Sequence, residues 1–200
     1  MANWELTTTL DRFRTSSDDS KRQQLVSTLL EEFRREGTVL RGNADGLLEG
    51  DALELLARHH GLPSPLLDWT ESPYIAGYFA YESKRDNEPA RVWVLDRAKL
   101  PDADTIPDAD TIPVNDVDVI DDRMLLRFNR RALQQRSVFL RVNTVRLPLA
   151  RLLSPALYGI DLDAADRVEA LADLDAMNIN ATTLFDDFDG VARTVVARIP

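Results

Sequence analysis

The sequence predicts an α+β fold, a small mixed sheet packed by helices, with a helical C-terminal part. Three observations carry this. Stretches with apolar residues at helical spacing are interleaved with short runs rich in Val, Leu and Trp. The two kinds follow no regular strand–helix–strand order, which argues against a doubly wound parallel sheet. The 200 residues are 44% hydrophobic and 29% charged, enough apolar material for an ordinary core.

From the N-terminus, Ser16 or Ser17 is placed to cap a first helix, with Asp18 and Asp19 at the positive end of its dipole. Leu25, Leu29, Leu30 and Phe33 give it an inward face, and Gly37 after Arg34-Arg35 reads as its stop. Thr38 to Arg41 then reads as a short strand ended by Gly42. The chain thus divides into an N-terminal helical segment, residues 1–37, and a domain over 38–200. Asp51 is the expected cap of a second helix, which carries Leu53, Leu55 and Leu56 and is closed by Gly61. Pro63 and Pro65 exclude helix from residues 62–65, and Leu66 to Thr70 reads as a brief buried strand. Ser72 as cap and Pro73 as first helical residue make the clearest helix start in the chain. Arg91 to Asp96 has strand composition.

Residues 101–122 read as an acidic surface loop, in which Pro-Asp-Ala-Asp-Thr-Ile occurs at 101–106 and again at 107–112. Two copies are too few for a solenoid. Met124 to Gln134 reads as at least partly helical and Ser137 to Asn143 as a strand. The last third reads as helical. Val168, Leu171, Leu174 and Met177 share one stripe, and a final helix carries Val191, Val195 and Val196.

The net charge of −10 excludes attraction of nucleic acid through the overall field. The dense basic stretch of Arg127, Arg130, Arg131 and Arg136 reads most simply as a solvated helix face. With no cysteine there are no disulfides, thiolate metal sites or cysteine nucleophile. No apolar run is long enough to span a bilayer, and the first residues do not form a secretory signal. A cytoplasmic location without a membrane partner is expected.

Two places carry polar chemistry. His59 and His60 close the second helix, where they either satisfy its open carbonyls or face a ligand. No metal is expected, because no further His or Cys stands at ligand spacing. Asp68-Trp69-Thr70 puts a carboxylate and a hydroxyl inside a core-like run. They either hold the turn into the next helix or frame a site with that helix's start. Phosphate-binding Gly-rich loops and a Gly-x-Ser-x-Gly elbow do not occur. Asp186, Asp187 and Asp189 lack EF-hand spacing and suit capping of the final helix.

The run from His59 to Thr70, together with Ser72-Pro73, Ala76 and Phe79-Ala80, resembles the central signature of the FRG domain family. Leu40-Arg41-Gly42 stands where that family has Phe-Arg-Gly. Gln135-Arg136-Ser137-Val138-Phe139 is similar to its Gln-x-Gly-x-Phe, and residues 184–190 are similar to its Leu-Phe-Pro-Asp-Leu-x-Gly. The chain departs from the pattern at Leu40, Arg58, Ser64, Pro65, Ser137 and Asp186.

The layout also resembles, more distantly, that of ADP-ribosyltransferases, at the level of fold. That resemblance implies NAD as substrate, with Arg41 and Gly42 at the mouth of the cleft and Arg41 gripping phosphate or ribose. It places Asp68 and Thr70 on the nicotinamide-side ribose, and Trp69 or Tyr74 against the nicotinamide. His59 or His60 would meet a ribose hydroxyl or the acceptor, and Gln135 stands where such enzymes carry Glu or Gln. Asp68, Thr70, Gln135 and His60 are then the catalytic candidates. Arg41, Gly42, His59, Trp69, Ser72 and Tyr74 are the binding ones. An NAD-dependent transferase or glycohydrolase, of the kind used as toxins or anti-phage effectors, is one reading. A non-catalytic module for a small nucleotide or a nucleic-acid end is a second, and a protein-interaction domain a third. The acceptor, protein or nucleic acid, and the oligomeric state stay open.

Overall fold

The computed structural model describes residues 6–14, 18–41, 49–82, 88–100, 116–122, 129–145, 148–154 and 156–199, without the side chains of 38–41. It is α+β, with small antiparallel sheets packed by helices. The chain forms two compact units. The first holds Met1–Leu67, Leu100–Ile120 and Phe139–Ser154; the second holds Asp68–Lys99, Asp121–Val138 and Pro155–Pro200.

The first unit opens with α1 (Thr9–Phe13), where the Thr8 hydroxyl accepts the Asp11 N–H at 3.1 Å. Helix α2 (Asp19–Arg41) is capped by Asp18, whose carboxylate accepts the Lys21 N–H at 3.1 Å. The proposed caps Ser16 and Ser17 lie outside the described residues. The strand expected at 38–41 is instead the last turn of α2. A glycine ends a helix only where the chain turns left-handed, and Gly37 does not; it costs the helix about 1 kcal/mol and lets it continue. The division drawn at residue 37 therefore falls inside a helix.

Helix α3 (Gly50–His59) starts from Glu49 rather than Asp51. It ends at Gly61, whose φ of +86° suits the Leu62 N–H to reach back 2.9 Å to the Ala57 carbonyl. Strand β1 (Leu66–Thr70) comes next, as expected, and begins in this unit.

Strand β3 (Val117–Ile120) pairs antiparallel with β4 (Ser137–Val142), from Val117 opposite Val142 to Ile120 opposite Phe139. The sheet order is β1-β4-β3. The expectation of a loop throughout 101–122 is corrected by β3. Its buried Val117 and Ile120 are hidden in sequence by Asp116, Asp118, Asp121 and Asp122. The duplicated hexapeptide lies outside the described residues. Among the described residues, Leu10, Leu66, Leu140, Val142 and Leu153 are the largest fully buried apolar side chains, and α6 (Leu149–Leu152) buries Leu149 and Leu152.

Arg141 on β4 gathers acids in this unit. Its Nε and Nη2 donate to Glu54 Oε2 at 3.0 and 2.7 Å, and Nη2 also donates to Asp51. Asp118 lies 3.7 Å from Nη1. Glu54 is 5% exposed, and its second oxygen is buried without a hydrogen-bond partner among the described residues. Burial pushes its carboxyl above the ordinary 4.5, outweighing the pull of Arg141, while Asp51 adds to the rise.

Between 4.5 and the raised value the folded chain keeps a proton that the unfolded chain releases, so stability falls as pH rises across that window. Glu54→Gln removes the slope. The urea midpoint of the wild type minus that of the variant is expected to shrink from pH 4.5 towards neutrality. A pH-independent difference would contradict it.

The second unit is built on α4 (Pro73–Glu82), β2 (Ala90–Leu95) and β5 (Leu157–Leu162). Strands β2 and β5 pair antiparallel from Ala90 opposite Leu162 to Leu95 opposite Leu157. Strand β5 corrects the expectation that the last third is all helical. It carries Leu157, Tyr158, Ile160 and Leu162, but its middle residues are exposed; the pairing with β2 and the bidentate Arg91–Asp161 bridge define the strand. Helix α5 (Arg130–Gln134) precedes β4; residues 123–128 lie outside the described part.

Helix α7 (Arg167–Ala176), α8 (Ala181–Phe185) and α9 (Phe188–Ala197) complete the chain. Ile75, Tyr78, Leu174, Ala181 and Leu184 form this unit's core, with Phe79, Leu171, Ile179 and Phe185 against it. Among the described residues, no helix is long and apolar enough to cross a membrane.

Candidate functional site

Six of the ten sequence-predicted site residues fall in the second unit: Asp68, Trp69, Thr70, Ser72, Tyr74 and Gln135. Strand alternation puts Asp68 and Thr70 on one face of β1 and Trp69 on the other. The Thr70 hydroxyl donates to the Gln135 carbonyl at 2.7 Å and accepts the Ser72 N–H at 3.1 Å. The Glu71 N–H adds a bond to the Arg136 carbonyl at 3.1 Å. The exit of β1 is thereby fixed to the α5–β4 turn, where Arg136 adopts a φ of +48°.

Ser72 is the cap expected from sequence. Its hydroxyl accepts the Ile75 N–H at 3.4 Å, and its carbonyl accepts the Ala76 N–H at 3.0 Å. Tyr74 is 57% exposed on the first turn of α4, and Asp68 is exposed on β1. The Trp69 indole nitrogen and the Gln134 amide oxygen are buried with no hydrogen-bond partner among the described residues.

Gln135 faces inward. Its Nε2 donates to the Leu184 carbonyl at 3.0 Å and ties the α5–β4 turn to α8. The next ring, Phe185, lies under two guanidinium groups, Arg131 at 4.4 Å and Arg193 at 4.9 Å from its centroid. Phe79 meets it edge-on at 6.0 Å. Arg193 reaches Glu82 at 3.3 Å, and Arg130 reaches Asp186 at 3.1 Å. Burial pulls Arg131 below its ordinary pKa. The Asp187 and Asp68 carboxylates act against that, and Arg193 adds to it. Asp187 caps α9 by accepting the Gly190 N–H at 2.7 Å, in line with the capping expected of this acidic run.

The structure brings Asp68, Thr70, Ser72 and Gln135 into one bonded and electrostatically linked neighbourhood, and adds Arg131, Phe185 and Arg193, which sequence reasoning left out. A signal existed for Arg131, which sits four residues before Gln135, one helical turn back. His59 and His60 belong to the first unit. Both are exposed at the end of α3, with rings edge-on at 5.1 Å. Arg41 is the last residue of α2 and its side chain is not described; Gly42 lies outside the described residues. Among the described residues no group of three or more His, Cys, Asp or Glu is placed to hold a metal.

The FRG domain family model matches residues 1–89. The match takes in Arg41, the two histidines and the whole Asp68 to Tyr74 segment, and ends before Gln135 and residues 184–190. No curated protein and no solved structure gives a match.

Proposed function

We propose that this FRG-domain chain binds a nucleotide, NAD foremost, over the strand–turn–helix from Asp68 to Tyr74. The observation that carries the reading is the Thr70 hydroxyl, bonded on both sides. It fixes the end of β1 while the Asp68 carboxylate and the Tyr74 ring stay exposed beside it. A carboxylate accepts from ribose hydroxyls, and an exposed aromatic ring on a helix start offers a stacking face.

An ADP-ribosyltransferase-like or glycohydrolase activity is the catalytic extension of this reading, and one observation favours it. Cleavage of the nicotinamide bond passes through an oxocarbenium-like state that a carboxylate stabilises. Asp68 offers an exposed carboxylate on the face of β1 that Thr70 shares. In this reading Gln135 and Thr70 are positioning residues, since their polar side-chain groups already hold the α5–β4 turn.

Isothermal titration with NAD, coupled to an assay for released nicotinamide, tests both levels. Saturable binding is the expected result. Release with turnover supports the enzyme, whereas binding without release leaves a binding module. Absence of binding by NAD and by simpler nucleotides overturns the reading.

A further inference from the structure

We propose that Arg131 grips the phosphate of a nucleotide whose ribose lies against Asp68. The proposal rests on the nucleotide reading above and names the group that takes the ligand's negative charge. A guanidinium offers five N–H donors in a fixed plane, matched to phosphate oxygens. Several such forks in this chain are filled. Arg22 holds Asp11, Arg91 holds Asp161, Arg141 holds Glu54 and Arg198 holds Asp175. Arg131 differs. Among the described residues no hydrogen bond or ion pair reaches its guanidinium, although the residue is partly buried.

Its surroundings suit an anion that carries hydroxyl groups. The Phe185 ring centroid lies 4.4 Å from the guanidinium carbon, within cation–π range. Arg193 lies over the same ring at 4.9 Å and repels Arg131, a repulsion that an anion relieves. Burial already disfavours the Arg131 charge, so a partner that satisfies its donors gains more there than at an exposed arginine. The neighbouring carboxylates select among anions. Asp187 is engaged in capping α9, and Asp68 disfavours a second bare negative charge but accepts hydroxyl donors. A phosphate gives the Arg131 donors an acceptor, and the ribose that carries it offers hydroxyl donors to Asp68, which inorganic phosphate or pyrophosphate does not.

The test is titration calorimetry of the full chain with NAD, ADP, adenosine and pyrophosphate, on wild type, Arg131→Gln and Arg131→Lys. Arg131→Gln is expected to weaken NAD and ADP at least roughly tenfold and to leave adenosine unchanged, as for loss of a charge-assisted phosphate contact. Arg131→Lys, which keeps the charge and loses the planar fork, falls between. It carries the test if thermal melting shows that the Gln variant does not fold. Equal NAD affinity in wild type and variants overturns the role of Arg131 and leaves the nucleotide reading standing. Arg131-dependent binding of pyrophosphate, without binding of any nucleotide or nucleoside, overturns both the nucleotide reading and the ribose contact. No binding of any of the four overturns both proposals.

Discussion

Asp11→Ala is expected to destabilise the first unit by about 3 kcal/mol, the low end for breaking a buried ion pair from one side. Arg22 is 3% exposed, and its three nitrogens are all engaged. Nε and Nη2 donate to the two Asp11 oxygens at 2.9 and 3.2 Å, and Nη1 donates to the Val142 carbonyl. One side chain thus ties α1, α2 and the end of β4 together. Removing the acid leaves a buried guanidinium without its counter-charge, and Asp11, being a quarter exposed, lets some water return. The loss is therefore placed at the lower end of the range. In a chain of this length it lowers the melting temperature by roughly 6–12 °C.

Arg22→Met with Asp11→Leu is expected to recover part of that loss. The recovery stays incomplete because the Val142 carbonyl still lacks its donor. Differential scanning calorimetry of the wild type and the two variants measures both effects. A loss below about 1 kcal/mol for Asp11→Ala would show that the guanidinium rehydrates and that the pair is not what joins these elements.

Neither Asp11 nor Arg22 stood out in the sequence, and the reason is general for this chain. Local signals were legible. Ser72-Pro73 opened α4, Gly61 closed α3, and the apolar runs at 66–70 and 137–142 became the two strands that pair. What sequence distance hides is pairing. Arg22 and Val142, or Arg141 and Glu54, meet only once the fold is formed. Strand β5 is similar: it owes its conformation to β2, which no period within its own six residues announces.

The same holds at the candidate site. Asp68, Thr70, Ser72 and Gln135 were grouped in sequence by the resemblance, which follows the order of motifs along the chain. That the hydroxyl of Thr70 and the amide of Gln135 are spent on backbone carbonyls was not, since the partners lie 65 and 49 residues away. Arg131 was legible only as part of a basic stretch, and its ring partner lies on α8. Asp186 shows the limit of motif reading. It stands where the resembled pattern has proline, yet its φ of +55° is one that proline, fixed near −65°, does not adopt. The turn from α8 to α9 is thus built on a left-handed Asp.

Beside that turn, Gly190 is the glycine of the second unit least tolerant of a methyl group. A Cβ there would lie 2.5 Å from the Ala181 carbonyl oxygen and 3.1 Å from both the Ala181 carbonyl carbon and Phe185 Cβ. The first two are backbone atoms and cannot rotate away. The chain has little slack to separate α8 from α9, because Asp187 holds the Gly190 N–H and the Ala181 side is packed into the core. Gly190→Ala is therefore expected to cost about 3 kcal/mol, the upper end for overpacking. Gly77, inside α4 with nothing within 4 Å of its Cβ position, supplies the opposite case. Gly77→Ala is expected to stabilise by about 0.5–1 kcal/mol through helix propensity alone. Because a shift of α8 displaces both the Phe185 ring and the Leu184 carbonyl, Gly190→Ala should also weaken nucleotide binding, whereas Gly77→Ala should leave it unchanged. Paired melting and titration of the two variants decide the matter. If Gly190→Ala melts like the wild type, the α8–α9 approach yields at little cost and cannot be what fixes Phe185 beneath Arg131.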